Sequence, residues 1–344
     1  MSDAKVRGRF VWHELMTLDT QAAARFYTKL VGWTTQSWPQ DPNYTLLVTK
    51  DGPMAGVMLL PDDAKAMGSP PNWLSYIGSD DVDGTAREAE RIGGTVLRPP
   101  ADIPQVGRFA IIADPQGAVF AAFSSPNSSP DNPNVALGDF SWHELATTDW
   151  SSALEFYRKL FGWEKTESMD MGPEMGVYQM FGWKGRTLGG MFNKPANMPG
   201  PAYWLPYAKV PDAKQAATRT TKLGGKVLNG PMEVPGGDWI TMGMDPQGAV
   251  FAVHSVSRVA AAPKPKAAAS PKLSKPAKKK AAQKAKAAAS KAKPARKAKP
   301  AGKAKPARKA KSTRKAKPTR KAKPTRKAKP ARKAKPARKA KRRR

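Results

Sequence analysis

From Asp19 onward the apolar residues Ala23, Phe26, Tyr27, Leu30 and Val31 recur at helical spacing, with polar residues between them, and Gly32 follows the last of them. This spacing predicts an amphipathic helix with Asp19 as its N-cap and Gly32 as its stop. The aromatic and apolar run Phe10 to Thr17 before it predicts a strand. Three further strands are expected after it, near Thr34 to Trp38, Tyr44 to Thr49 and Ala55 to Leu60, separated by turns that carry Pro and Gly. The same order then returns: a strand Trp73 to Gly78, a helix from about Val82 to Ile92 closed by Gly93-Gly94, a strand through Val96, a strand Arg108 to Ala113, an Asp-Pro-Gln-Gly turn, and a strand Ala118 to Phe123. Each half reads βαβββ.

The whole pattern repeats further along the chain. Phe10 to Thr35 realigns on Phe140 to Lys165 at an offset of 130 with 14 of 26 positions identical. Asn72 to Phe123 realigns on Tyr203 to His254 at an offset of 131, sharing Trp73/Trp204, Tyr76/Tyr207, Gly93-Gly94/Gly224-Gly225 and the octapeptide DPQGAVFA. A duplication of this kind makes the body two homologous modules. The Ser-, Pro- and Asn-rich stretch Ser124 to Asn134 separates them. The expected divisions are 8–123 for module 1, 124–137 for the linker, 138–256 for module 2 and 257–344 for a tail. At 262 residues the body has room for one large domain or two ordinary ones, each able to bury a proper core.

Charge separates body from tail. Of the 60 Lys and Arg residues, 37 lie between Pro263 and Arg344, where there is no acidic residue, so the tail carries +37 and the preceding 262 residues −4. The chain has no cysteine and three histidines, which removes disulfides, thiolate nucleophiles and sulfur-bound metals, and leaves His and carboxylates as the available ligands. The first ten residues lack the apolar stretch of a secretory signal and no apolar run approaches membrane-spanning length, so the expectation is a cytoplasmic protein without membrane insertion.

A strand, an Asp-capped helix with a Phe-Tyr pair ending in Leu-x-Gly-Trp, three strands, a Gly-Gly helix end and a DPxG hairpin together resemble the vicinal oxygen chelate superfamily, which includes glyoxalase I, extradiol dioxygenases and bleomycin-resistance proteins. The resemblance covers residues 8 to 123 and 138 to 254. It implies an α+β fold of two tandem modules, each built of two βαβββ units curled into a half-open barrel around a cleft, here followed by a disordered basic tail. It also implies a divalent metal held by His, Gln or Glu from the first strand of each unit and from the last strand. Those positions fall on Trp12, Leu74 and Ala121 in module 1, and on Trp142, Leu205 and Ala252 in module 2. None carries a usual metal ligand, so no metal and no cofactor is expected.

A displaced site using His13, Glu14, His143, Glu144 and His254 is the alternative. Adjacent strand residues point to opposite faces, so Glu14 enters the cleft with Trp12 while His13 turns to the helix layer. The histidines are therefore expected to be structural. Glu14 and Glu144 stand on strands otherwise lined by Trp and Met, where an unpaired buried carboxylate costs several kcal/mol. They should be solvated, paired or ligand-facing. Nearby aromatic side chains would suit a flat organic ligand, although core packing is the ordinary role of aromatics in strands. The candidate ligand-binding set is Trp12, Glu14, Trp73, Tyr76, Trp142, Glu144, Trp204, Tyr207 and His254. No nucleophile–base pair or phosphate-binding glycine loop is present, and no catalytic residue is assigned.

From Ala295 the tail repeats a hexamer of the form A/T-R-K-A-K-P. Proline in nearly every repeat blocks a helix, and Ala, Lys and Arg offer nothing large to bury, so the free segment should be extended and disordered. The composition resembles the C-terminal domain of linker histone H1 and the tails of bacterial histone-like proteins. Phosphate neutralisation with counterion release would give strong, salt-sensitive, sequence-nonspecific DNA binding, with RNA the runner-up. The expected contacts are Arg296, Lys297, Lys299, Arg308, Lys309, Lys311, Arg314, Lys315, Lys317, Arg320, Lys321, Lys323, Arg326, Lys327, Lys329, Arg332, Lys333, Lys335, Arg338, Lys339 and Lys341. The sequence thus points to a nucleoid-associated protein whose body binds a small organic ligand without metal. The other two readings are a metal-dependent glyoxalase-like lyase or dioxygenase localised by the tail, and a binder that sequesters a DNA-damaging compound close to DNA.

Overall fold

In the computed structural model, residues 6–126, 134–198 and 200–257 are described; the tail cations from Arg296 to Lys341 lie outside this range. Module 1 runs β1 (Phe10–Thr17), α1 (Thr20–Val31), β2 (Thr34–Trp38), β3 (Asp41–Thr49), β4 (Gly52–Leu59), a short α2 (Asp62–Ala66), β5 (Asn72–Gly78), α3 (Val82–Arg91), β6 (Thr95–Ile103), β7 (Gly107–Ala113) and β8 (Val119–Ser124). Module 2 runs β9 (Phe140–Thr147), α4 (Trp150–Phe161), β10 (Glu164–Asp170), β11 (Val177–Trp183), β12 (Arg186–Asn193), β13 (Tyr203–Lys209), α5 (Ala213–Lys222), β14 (Lys226–Glu233), β15 (Trp239–Met244) and β16 (Val250–Ser255). Asp19 caps α1 by accepting from the Ala22 amide, and Gly32 closes it at φ 98°, a left-handed position that suits glycine. Asp149 and Gly162 do the same for α4.

Each module forms one eight-stranded mixed sheet, ordered β2-β3-β4-β1-β5-β8-β7-β6 and β10-β11-β12-β9-β13-β16-β15-β14. The two βαβββ units of a module meet through their first strands, β1 antiparallel to β5 and β9 antiparallel to β13. One face of each sheet carries the helices; the other bears Trp12, Glu14 and their neighbours.

Each module keeps buried clusters of its own on the helix-free face of its sheet, but the helix-side cores are shared between the modules. The apolar face of α1 packs with β3, β4 and Trp73 of its own module and with Ala213, Ala216, Phe251 and Val253 of module 2. Reciprocally, the apolar face of α4 packs with Ile77, Val82, Ala86, Ile112 and Phe120 of module 1. Helical periodicity fixes which side is buried but not against what, so this exchange was not readable from the pattern.

Polar links tie the same interface. Tyr27 donates to Asp245 at 3.1 Å and itself accepts from Trp73 Nε1 at 3.1 Å. Tyr157 donates to Asp114 at 3.1 Å and accepts from Trp204 Nε1 at 2.8 Å. The aspartate of each DPQG turn thus anchors the other module's helix. The indoles of the Leu-x-Gly-Trp motifs reach across as well, Trp33 to the Gly138 carbonyl at 2.8 Å and Trp163 to the Gly8 carbonyl at 2.7 Å. Trp73 and Trp204 were expected near the cleft; strand alternation places them on the helix side, 6% and 5% exposed, inside this interface.

His13 and His143 also meet there, Nε2 to Nε2 at 2.8 Å, both buried. Phe10 stacks on His143 with centroids 3.5 Å apart, and Phe140 covers His13 at 3.9 Å. His143 Nδ1 faces the Leu188 carbonyl at 3.4 Å, which assigns the proton there and makes His13 Nε2 the donor of the pair. Burial holds both imidazoles below the usual range, His143 at about 3. The two histidines turn away from the cleft and act as the structural pair their strand position predicts.

Candidate functional site

On the open face of module 1, Glu14 is buried at 8% exposure among apolar residues, including Met16, Leu74, Phe109 and Ala121. Its carboxylate is clamped by two phenols: Tyr44 donates to Oε1 at 2.8 Å and Tyr76 to Oε2 at 2.8 Å. Trp12 Nε1 donates to the Tyr44 hydroxyl at 3.1 Å, orienting its proton toward the carboxylate. Module 2 repeats the arrangement. Tyr178 and Tyr207 donate to Glu144 at 3.0 and 2.9 Å, and Trp142 donates to Tyr178 at 2.8 Å.

The clamp depends on a missing side chain. Tyr44 lies over β4 at Gly56, where an added Cβ would stand 1.8 Å from the phenol oxygen; at Gly190 a Cβ would stand 2.0 Å from the Tyr178 ring. Each tyrosine stands twelve residues before its glycine. Tyr44 and Tyr178 were missed in reading the sequence because they fall between the two aligned blocks. The signal was the paired Tyr and Gly at equal spacing in both copies.

The structure therefore brings together Trp12, Glu14 and Tyr76 on the helix-free face of one sheet and Trp142, Glu144 and Tyr207 on that of the other, adds Tyr44 and Tyr178, and removes Trp73 and Trp204. His254 stands apart from Glu144's clamp: its Nδ1 meets Ser141 Oγ at 2.9 Å and its Nε2 meets Asp238 at 2.9 Å. A bulge between Tyr207 and Ala208 lets Ser141 take that place.

Burial raises the pKa of Glu14, and the Tyr44 and Tyr76 hydrogen bonds and the Arg98 charge oppose the rise. Glu144 is raised by burial in the same way, opposed by Tyr207 and Tyr178 alone. Each ionised carboxylate accepts one bond on each oxygen and keeps acceptor capacity for a ligand donor. Around it stand an indole, two phenols and apolar walls, a lining suited to a flat ring carrying a hydroxyl.

A divalent cation does not fit these residues. Trp12 pairs with Tyr76, and Tyr76 with Ala121, in one row across β1, β5 and β8; Trp142, Tyr207 and Ala252 form the corresponding row. The register thus puts Tyr76, rather than the expected Leu74, beside Trp12. Neither row supplies an imidazole or a carboxylate, and among the described residues no three His, Cys, Asp or Glu side chains gather closely enough to hold a metal ion. No described helix is long and apolar enough to cross a membrane.

A profile of the Glyoxalase/Bleomycin resistance protein/Dioxygenase superfamily matches residues 9–121 and 139–253. The chain is 32% identical over 246 residues to CFP32 of Mycobacterium tuberculosis, a protein provisionally named a glyoxylase, covering 70% of this chain and 92% of that one. It is 29% identical over 258 residues to the anthracycline biosynthesis protein DauV of a Streptomyces species, covering 72% and 92%. Among solved structures, the 2,2',3-trihydroxybiphenyl 1,2-dioxygenase of Sphingomonas wittichii superposes with a TM-score of 0.54 over 72% of this chain and 90% of that one, at 12% identity, a likeness of fold alone.

Proposed function

The chain belongs to the glyoxalase/bleomycin resistance/dioxygenase superfamily, and we propose that its body is a metal-free receptor for planar aromatic hydroxyl compounds, tethered to DNA by its basic tail. The observation that carries this reading is the Tyr–Glu–Tyr clamp, present on the helix-free sheet face of both modules. A ligand hydroxyl donates to the free lone pairs of Glu14 or Glu144 while its ring packs against Trp12 or Trp142. A hydrogen bond to a charged acceptor contributes about 1.5–3 kcal/mol. The kinship with an anthracycline biosynthesis protein supports a fused-ring aromatic ligand.

The tail reading rests on its charge. If about a third of the 37 cations engage at once, roughly 12 contacts, log affinity for DNA falls against log salt with a slope on the order of −11. Attachment to DNA would then concentrate the two clefts where a DNA-damaging aromatic compound acts.

A second reading is favoured by the burial of the glutamates, which holds their pKa up, and by the name given to CFP32. In it, Glu14 and Glu144 take a proton from the bound compound as general bases.

The test is titration of the full chain with 1-naphthol, followed by tryptophan fluorescence. Glu14→Gln with Glu144→Gln should weaken binding at least tenfold while the fold, read by circular dichroism, is kept. Undiminished binding by that double variant would refute the receptor reading.

A further inference from the structure

The two clefts share their clamp but differ beside it. Arg98 on β6 stands with its guanidinium carbon 5.2 Å from the centroid of Phe109, a ring of the module 1 cleft that packs with Tyr76 and Ala121. It is exposed, and no hydrogen bond or ion pair engages it among the described residues. Its five N–H donors are free to meet a ligand. The guanidinium is close enough to Glu14 and Tyr76 for its charge to act on both.

In module 2 the offset of 131 puts Asn229 at the Arg98 position and Ile240 at the Phe109 position, and the strand pairings agree, Arg98 with Ile111 and Asn229 with Met242. Both the cation and the ring that seats it are gone. Lys194, which lies 5.7 Å over Tyr203, does not replace them, since its ammonium is held by the Gly200 and Pro201 carbonyls. The walls differ too: Met169, Met175, Met180 and Met198 pack around Trp142 and Tyr178, a flexible lining that adapts to shape.

We propose that the clefts are specialised for different ligands: module 1 takes an aromatic compound that carries both a hydroxyl and an anionic group, the hydroxyl on Glu14 and the anion on the Arg98 fork, whereas module 2 takes compounds that offer a hydroxyl alone. This rests on the receptor reading above and names its ligand class. A guanidinium fork matches a carboxylate in a bidentate pair, while Asn229 offers no charge. Glu14 would repel an anion placed beside it, so the two ligand groups have to sit on different edges of the ring system, not at adjacent positions, where the carboxylate would itself accept the hydroxyl's proton.

The experiment is isothermal titration of the full chain, treated with chelator, with 1-naphthol and with 6-hydroxy-2-naphthoate, whose two groups stand on opposite rings, at about 0.15 M salt, for the wild type and for Arg98→Asn. Arg98→Asn copies what module 2 already carries, at an exposed position, so folding is not at risk. The tail is common to both proteins and cancels in the comparison. The wild type should bind two equivalents of 1-naphthol, but 6-hydroxy-2-naphthoate with one site at least tenfold tighter than the other. Arg98→Asn should abolish that tight site and leave 1-naphthol within twofold. Hydroxynaphthoate binding that is unchanged in Arg98→Asn, or 1-naphthol weakened by the same factor, overturns the specialisation while leaving the receptor reading intact. Binding of neither probe by the wild type overturns both.

Discussion

Replacing Gly56 by alanine tests the clamp without touching a hydrogen-bonding group. Gly56 does not use the left-handed backbone conformation, so alanine is free of backbone strain there. The cost comes from contact: the new Cβ would lie 1.8 Å from the Tyr44 oxygen and 2.2 Å from its Cζ, and the ring has to retreat by roughly 1.5 Å or more to reach ordinary van der Waals distance. A shift of that size breaks the 2.8 Å bond to Glu14 and the 3.1 Å bond from Trp12. The first is charge-assisted, about 1.5–3 kcal/mol, and the second about 1 kcal/mol, so Gly56→Ala should destabilise the protein by about 3 kcal/mol. Because the modules share their cores, the loss should appear in global unfolding followed by urea denaturation. The control is a double-mutant cycle. In a Tyr44→Ala background the methyl group enters vacated space, and Gly56→Ala should cost less than about 0.5 kcal/mol. A cost below that value in the wild type, or the same cost in both backgrounds, would refute the steric link between Gly56 and the clamp.

Deleting residues 263–344 should leave a folded body of net charge −4 and abolish DNA retention in a mobility-shift assay at about 0.15 M salt; undiminished binding by residues 1–262 would contradict the tail's role. With the tail in place, a specific duplex should not outcompete random DNA of equal length and composition by more than about tenfold, and a larger preference would require a base-reading element in the body. The His13–His143 pair should make stability pH-dependent in a defined direction. Both folded-state pKa values lie below the unfolded value of about 6.5, so between that pH and about 3 the unfolded chain binds more protons. Stability should therefore be full above about pH 6.5 and decline as the pH falls, by up to about 1.4 kcal/mol per pH unit for each histidine. His13→Gln with His143→Gln should flatten that decline in urea titrations at pH 7 and 5; an unchanged slope would show that the pair is not its source.

The local elements were legible because each rests on a short-range rule. Asp19 and Gly32 bracket α1, and the duplication makes the reading of one module a check on the other. The orientation of β1 was equally readable: one alternation sends Glu14 and Trp12 one way and His13 the other. What the chain does not display locally is the identity of a partner. Trp73 has the composition of a cleft residue, yet it serves Tyr27 and, through it, Asp245 of the second module. His13 and His143 look alike in their own modules and become a pair only when the two sheets are brought back to back. Tyr44 is separated from Glu14 by a helix, a strand and the turns that join them, and its role becomes visible only with the register that puts Gly56 beneath it. His254 shares a strand face with Ala252, but the β9–β13 bulge inserts Ser141 and, with Asp238, ties the imidazole away from Glu144.

Ligand capture by the carboxylate clamps, not by a metal ion, is open to direct measurement. Its most direct test is calorimetric titration of 1-naphthol into chelator-treated protein whose metal content has been checked by elemental analysis, before and after restoring zinc, nickel, iron or manganese. Metal-free protein should bind two equivalents, unchanged when a cation is added. Binding that appears only once a divalent cation is restored near stoichiometry would contradict it.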